Sequence, residues 1–320
     1  MTAASETEDK RSDELITASR AQDDITSEWN SDPGVLVSVC CITYNHEMYI
    51  REAIDSFLMQ ETDFPFEVII HDDASTDRTA YIIKAYEKAY PKIIKPIYQT
   101  ENQYSICGLI NPRLVIPKAR GKYIALCEGD DYWTDKTKLQ KQADFLENNA
   151  EYVITYTDCQ PFDEKGAVHA YPGGVKEDLE SIELKKSTPI STLTVCFRNV
   201  LGEISQDLMS ARYGDLVMWS LLGAHGKGKY LDDILPSAYR VHDGGAHSRK
   251  STKEKAGMSV ITYAALYSYY KRRDEEDIYQ YFETQLLKNA LLLNGFDGAW
   301  KYFLSVLAGK IKRTYKKWIK

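Results

Sequence analysis

The chain has no apolar run of the roughly 20 residues that crossing a bilayer requires. Its first residues are polar and lack the basic, apolar and small-residue order of a signal peptide. These absences set the expectation of a cytoplasmic protein. Positive charge is not in excess either. The net charge of −7 argues against a general nucleic-acid binder, whose surface is basic. CxxC spacing is missing: Cys40, Cys41, Cys107, Cys127, Cys159 and Cys196 lie mostly in apolar, strand-like runs. They read as buried thiols ahead of disulfides or a zinc site. No internal repeat is visible, and no glycine-rich phosphate loop lies near the first apolar run.

What is present is enough apolar residue for a sizeable core: 43% of 320 residues are hydrophobic and 27% charged. Charge is uneven. Residues 1–32 hold nine acids against three bases, and residues 301–320 hold seven bases and no acid. Residues 1–34 therefore read as an acidic leader, mobile or loosely helical. Near the other end Trp300, Phe303, Leu304, Leu307, Ile311, Tyr315 and Trp318 recur at helical spacing among the bases. A basic amphipathic helix at 298–320 suits an anionic membrane surface, and it equally suits docking on its own domain.

Between these ends strands and helices alternate. Residues 35–42, 66–73, 93–99, 123–127 and 151–157 read as strands, and 47–60, 77–90 and 136–149 as helices, the second stopped by Pro91. This order predicts an α/β fold: a doubly wound, mainly parallel sheet with helices on both faces. Ligands of such sheets bind beyond the carboxyl ends of the strands. Thr43-Tyr44-Asn45, Asp72-Asp73 and Glu128-Gly129-Asp130-Asp131 all fall at such ends, so they should converge on one crevice. Past 157 the alternation breaks. Residues 159–174 read as a loop or hairpin, 191–198 as a strand and 214–226 as a helix closed by Gly226. Residues 229–245 read as strand, turn and strand, and 252–294 as mostly helical.

The stretch YIALCEGDDYW (123–133) crowds Glu128, Asp130 and Asp131 behind a buried strand. Carboxylates so close repel one another. They are either a solvated turn before the next helix or a site for a hard divalent cation.

Four stretches in order resemble the family 2 glycosyltransferases: VSVCCITYNHEMYIREAIDSFLMQ, FEVIIHDDASTDRT, ARGKYIALCEGDDYWTDKTKLQKQ and GDLVMWSLLGAHGKGKYLDDILPSAYRVHDGG. The resemblance covers roughly residues 35–247. It implies a GT-A fold and an inverting transfer from a nucleotide-diphosphate sugar, UDP favoured, to a glycan or lipid-linked acceptor. Residues 35–157 form the nucleotide-binding half, 158–250 the acceptor-binding half and 251–320 a helical C-terminal region. The family's DxD motif corresponds here to Glu128-Gly129-Asp130, with Glu in place of the first Asp. Asp130 is the expected ligand of Mn²⁺ or Mg²⁺, joined by Asp131 and by His242 of YRVHDGG. Asp73, more than Asp72, is expected to read the base, with Thr43, Tyr44, Asn45 and Glu47 on its other side; Arg113 pairs with the donor or is an exposed surface residue. The general base falls on Asp215, with Gly214 where an acid is common in the family. Its bland reading is a helix cap, and Asp207, Asp232 and Asp233 are the alternatives. His46, His71, His169, His225 and His247 take structural readings.

Competing readings are a receiver-like domain, a nucleotidyltransferase and a non-catalytic sugar-nucleotide or carbohydrate binder. Receivers are shorter and have no counterpart to EGDDYW or YRVHDGG. A nucleotidyltransferase usually shows the phosphate loop that is missing here. Acceptor-dependent transfer separates an enzyme from a binder.

Overall fold

A computed structural model describes residues 16–30, 34–168, 174–242 and 250–293. The basic segment 298–320, His169 and His247 lie outside them. By its contacts the chain forms two units, residues 1–205 with 214–242, and residues 206–213 with 243–320.

The first unit is built on a seven-stranded sheet in the order β3-β2-β1-β4-β8-β5-β9. Its strands are β1 (Val37–Thr43), β2 (Phe66–Asp72), β3 (Ile94–Tyr98), β4 (Tyr123–Leu126), β5 (Tyr152–Tyr156), β8 (Cys196–Arg198) and β9 (Lys227–Tyr230). β3, β2, β1 and β4 run parallel, β8 runs antiparallel between β4 and β5, and β9 is parallel to β5. β1 and β2 are almost wholly buried, which explains why their sequences are continuous apolar runs rather than alternating ones. A second, three-stranded sheet joins β10 (Ser237–Arg240), β6 (Cys159–Asp163) and β7 (Gly166–Ala167). The first unit's helices are α1 (Gln22–Ser27), α2 (Ile50–Leu58), α3 (Thr79–Ala89), α4 (Gln103–Ile106), α5 (Lys138–Asn148), α6 (Ser181–Lys185) and α7 (Gly214–Leu222).

Three local differences from the sequence reading have physical causes. Only residues 196–198 of the expected 191–198 strand pair in the sheet, and 192–194 turn instead. Buried side chains hold that turn: the indole of Trp133 donates to the Leu193 carbonyl (2.8 Å), and the Lys138 ammonium to Thr194 (2.8 Å). Gly226 does not close a helix, because α7 ends at Leu222. It sits at φ +156°, where a Cβ would come 2.5 Å from the Glu151 carbonyl. The acidic leader is not loose where it is described. Ile25 is 1% exposed, Trp29 packs edge-on to Phe66 (5.7 Å) and Arg20 donates to the Gln60 carbonyl (3.0 Å). Tyr90 donates to the Arg20 carbonyl (2.8 Å), so residues 16–30 form a strap fastened at several points.

The second unit is a helical pair, α8 (Thr252–Lys271) and α9 (276–293). A capping box between Ser251 and Glu254 starts α8. Tyr270 stacks on Phe282 (5.8 Å), and the Thr262 hydroxyl accepts from the Arg212 and Tyr213 amides.

Candidate active site

The loops after β1 and β2 are laced together at the carboxyl edge of the sheet. Register places Thr43 beside Asp72. Asn45 sits at φ +56°, a region that asparagine tolerates. Its Oδ1 accepts the Thr76 amide (2.8 Å), and its own amide donates to Ser75 Oγ (2.9 Å). The His46 amide donates to Thr79 Oγ1 (2.8 Å) and the Glu47 amide to Asp77 Oδ2 (3.0 Å). Glu47 Oε2 accepts from the Arg78 amide (2.8 Å). Asn45 and Glu47 thus hold the second loop with the side chains that the sequence offered to a base, whereas Tyr44 is exposed.

The two aspartates after β2 have different surroundings. Both Asp73 oxygens accept amides at the start of α4, from Gln103 (2.7 Å) and Tyr104 (3.0 Å). Asp72 accepts a long bond from the Ser75 amide (3.4 Å). Burial raises its carboxyl above the usual range, against the Ser75 bonds. Asp73 is thus held through the start of α4 and Asp72 through Ser75.

The acid loop follows β4. The Gly129 amide donates to the Ile42 carbonyl (2.9 Å). A Cβ on Gly129 would come 2.7 Å from Thr43 Oγ1 and 2.8 Å from Thr43 Cβ, so glycine lets the loop lie against β1. Asp130 Oδ2 stands 2.9 Å from His242 Nε2 and 3.7 Å from His46 Nε2. One ligand atom from each of these three residues lies within 4.8 Å of the others. Asp131 is directed elsewhere: its Oδ1 accepts the Arg240 amide (2.7 Å), tying the loop to β10. The Arg240 side chain completes the tie. Its Nε donates to the Asp130 carbonyl (2.9 Å), its Nη2 bonds Glu52, and its guanidinium lies over the rings of Phe162 (4.6 Å) and Tyr49 (4.8 Å).

Electrostatics divide the acids. Burial pushes the Glu128 carboxyl up to about 8, with Asp130 and Asp215 adding to the rise. Burial acts on Asp130 in the same direction, but the His242 bond and the two imidazoles outweigh it and hold this carboxyl below its usual range. Asp131 is raised, by burial and then by its acidic neighbours. Burial lowers His46 against the pull of Asp130, which favours a neutral ring able to ligate. Two imidazole nitrogens and one carboxylate oxygen fit a divalent cation, and His46 is the member the sequence reading left out. Its only signal there was its place directly after Thr43-Tyr44-Asn45.

Asp215 opens α7, half-buried, with its carboxyl raised by burial against amide bonds that include Leu216. Its charge is felt at Glu128. A Cβ on Gly214 would come 3.0 Å from the Gly108 carbonyl, which accounts for glycine where the family often has an acid. Two of the three alternative bases have other partners. Asp207 pairs with Arg272 (2.7 Å) in the second unit, and Asp233 pairs with Lys141 (3.3 Å). Arg113 lies on a π-helical turn (Asn111–Val115) packed on β1, β2 and α7. Its Nη1 and the Asn111 Oδ1 are buried without a hydrogen-bond partner. Such turns recur at binding sites, and buried polar atoms are normally bonded.

The family model "Glycosyl transferase family 2" matches residues 38–204. An uncharacterized protein of Mycobacterium tuberculosis is 37% identical over 254 residues, covering 76% of this chain and 71% of that protein. A Bacillus subtilis protein, TuaG, provisionally named a teichuronic acid biosynthesis glycosyltransferase, is 31% identical over 222 residues, 67% of this chain and 82% of its own. Among solved structures, S. aureus TarS 1–349 in complex with UDP-GlcNAc has a TM-score of 0.54 at 20% identity, covering 72% of this chain and 66% of that one. The chain thus spans just under two thirds of that TarS fragment. The mannosyltransferase PcManGT of Pyrobaculum calidifontis, in complex with GDP-Man and Mn²⁺, has a TM-score of 0.51 at 16% identity, covering 97% of this chain and 89% of that one.

Proposed function

Because the chain belongs to the family 2 glycosyl transferases and has the GT-A fold, we propose that it moves a sugar from a nucleotide-diphosphate donor, a UDP-sugar in the first instance, to a hydroxyl of a glycan or lipid-linked acceptor, with inversion at the anomeric carbon. The observation that carries this reading is the convergence of Asp130, His46 and His242 at the carboxyl edge of the sheet, beside Glu128, whose carboxyl is raised by burial first and then by Asp130 and Asp215. The UDP, UDP-GlcNAc and GDP-Man complexes of TarS and PcManGT support a nucleotide-sugar donor.

In this reading residues 35–157 hold the donor and 158–250 the acceptor. A bound divalent cation would be held by Asp130 and His242 and would neutralise charge growing on the departing diphosphate. Asp72 and Thr43 face the base and ribose, and Arg113 supplies a guanidinium to the donor. Asp215 accepts the proton of the acceptor hydroxyl as that oxygen attacks the anomeric carbon from the side opposite the leaving diphosphate. Residues 298–320 supply contact with anionic lipid headgroups.

The test is Asp215→Asn. The side-chain amide can still accept the backbone amides at the start of α7 but takes no proton, so nucleotide affinity and melting temperature should stay near wild type while turnover falls about 10²–10⁴-fold. A folded variant with wild-type turnover moves the base to another acid.

A further inference from the structure

Resting on that metal-bridged reading, we propose that His46 is the third protein ligand of the cation, and that two imidazoles beside one carboxylate select a first-row transition ion over Mg²⁺. Asp130 and His242 alone make an ordinary hydrogen-bonded pair at 2.9 Å. His46 Nε2 lies 3.7 Å from the same Asp130 oxygen, beyond hydrogen-bond reach. Metal–ligand bonds of about 2.0–2.2 Å put adjacent ligands roughly 3 Å apart and opposite ones about 4.3 Å apart. The three atoms lie within 4.8 Å of one another, so a side-chain adjustment of about half an ångström brings them to that spread.

The position of His46 is built. Its amide is anchored to Thr79 Oγ1 (2.8 Å), and its carbonyl accepts the Tyr49 and Ile50 amides (2.9 Å each) at the start of α2. Its ring meets Tyr49 edge-on (6.2 Å) and His242 edge-on (6.0 Å). Of the neighbouring carboxylates, Asp131 accepts the Arg240 amide, and Glu128 falls outside the group that His46, Asp130 and His242 form. The protein ligands are therefore two nitrogens and one oxygen. Imidazole suits transition ions, whereas Mg²⁺ prefers carboxylate, phosphate and water oxygens.

The probe is Mn²⁺, followed by loss of the free-ion EPR signal on addition to the full chain, with and without UDP. Wild type should take up Mn²⁺ and keep most of it against about a hundredfold excess of Mg²⁺. His46→Ala should bind at least about tenfold more weakly. His46→Asp should bind again but yield the site to Mg²⁺. Circular dichroism checks the fold of each variant, and His46→Gln replaces His46→Ala if the latter misfolds. Wild-type Mn²⁺ affinity in His46→Ala or His46→Gln, or ready displacement by Mg²⁺ from wild type, overturns the assignment of His46 while the metal-bridged donor site stands. No uptake by wild type in either arm overturns both.

Discussion

Glu128 and Arg240 show how much of this site is set by single side chains. Glu128 keeps its proton up to about pH 8 in the folded chain, against an ordinary value of 4.5. Between those values the folded state binds the extra proton, so this residue's contribution to stability falls as pH rises across that window. Glu128→Gln removes the titration. Its melting temperature relative to metal-free wild type should be flat near pH 4 and climb toward pH 9; a difference independent of pH contradicts the burial argument. Arg240 touches no reacting atom in the proposed reaction; it positions the acid loop through the Asp130 carbonyl and the ring cage. Arg240→Met should weaken Mn²⁺–UDP binding about 10–100-fold in calorimetry. Arg240→Lys keeps the charge over the rings but not the planar fork, and should recover only part. Equal loss of melting temperature in both variants with unchanged affinity would reduce Arg240 to a structural tie.

Among the elements, β1 through β5 and the helices α2, α3 and α5 were legible because burial on both faces writes a strand as an apolar block and one-sided burial writes a helix at 3.6 spacing. The acid loop was legible because three carboxylates behind such a block need a reason. Partners distant in sequence were not legible. Asp73 is bonded by α4, thirty residues on, and His46 gains meaning only when Asp130 and His242 arrive beside it. Lys138, on α5, is fully buried over the Trp133 ring and bonded to Gln142 and Thr194. Gly129 is the element-scale counterpart: its missing Cβ lets the acid loop pack on Thr43. Gly129→Ala forces a backbone shift costing about 1–3 kcal/mol. It should lower the melting temperature and weaken cation binding together; a variant with both unchanged contradicts the close packing.

At the scale of the whole molecule, the strap at residues 16–30 extends the first unit beyond the stretch that resembled the family. Burial of Ile25 and the bonds through Arg20 and Tyr90 are worth about 2–4 kcal/mol together. Removing residues 1–30 should lower the melting temperature by roughly 5–15 °C; an unchanged value would make the strap a passive appendage. Among the described residues no helix is long and apolar enough to cross a membrane. In the proposed function a cation at Asp130 completes the nucleotide-sugar site. Calorimetric titration of UDP into the full chain with Mn²⁺, with EDTA, and with Mn²⁺ in the Asp130→Asn variant tests this most directly. UDP should bind in the first arm and lose at least about tenfold in affinity in the other two, with the variant's fold intact. UDP affinity indifferent to EDTA and to Asp130→Asn would contradict it.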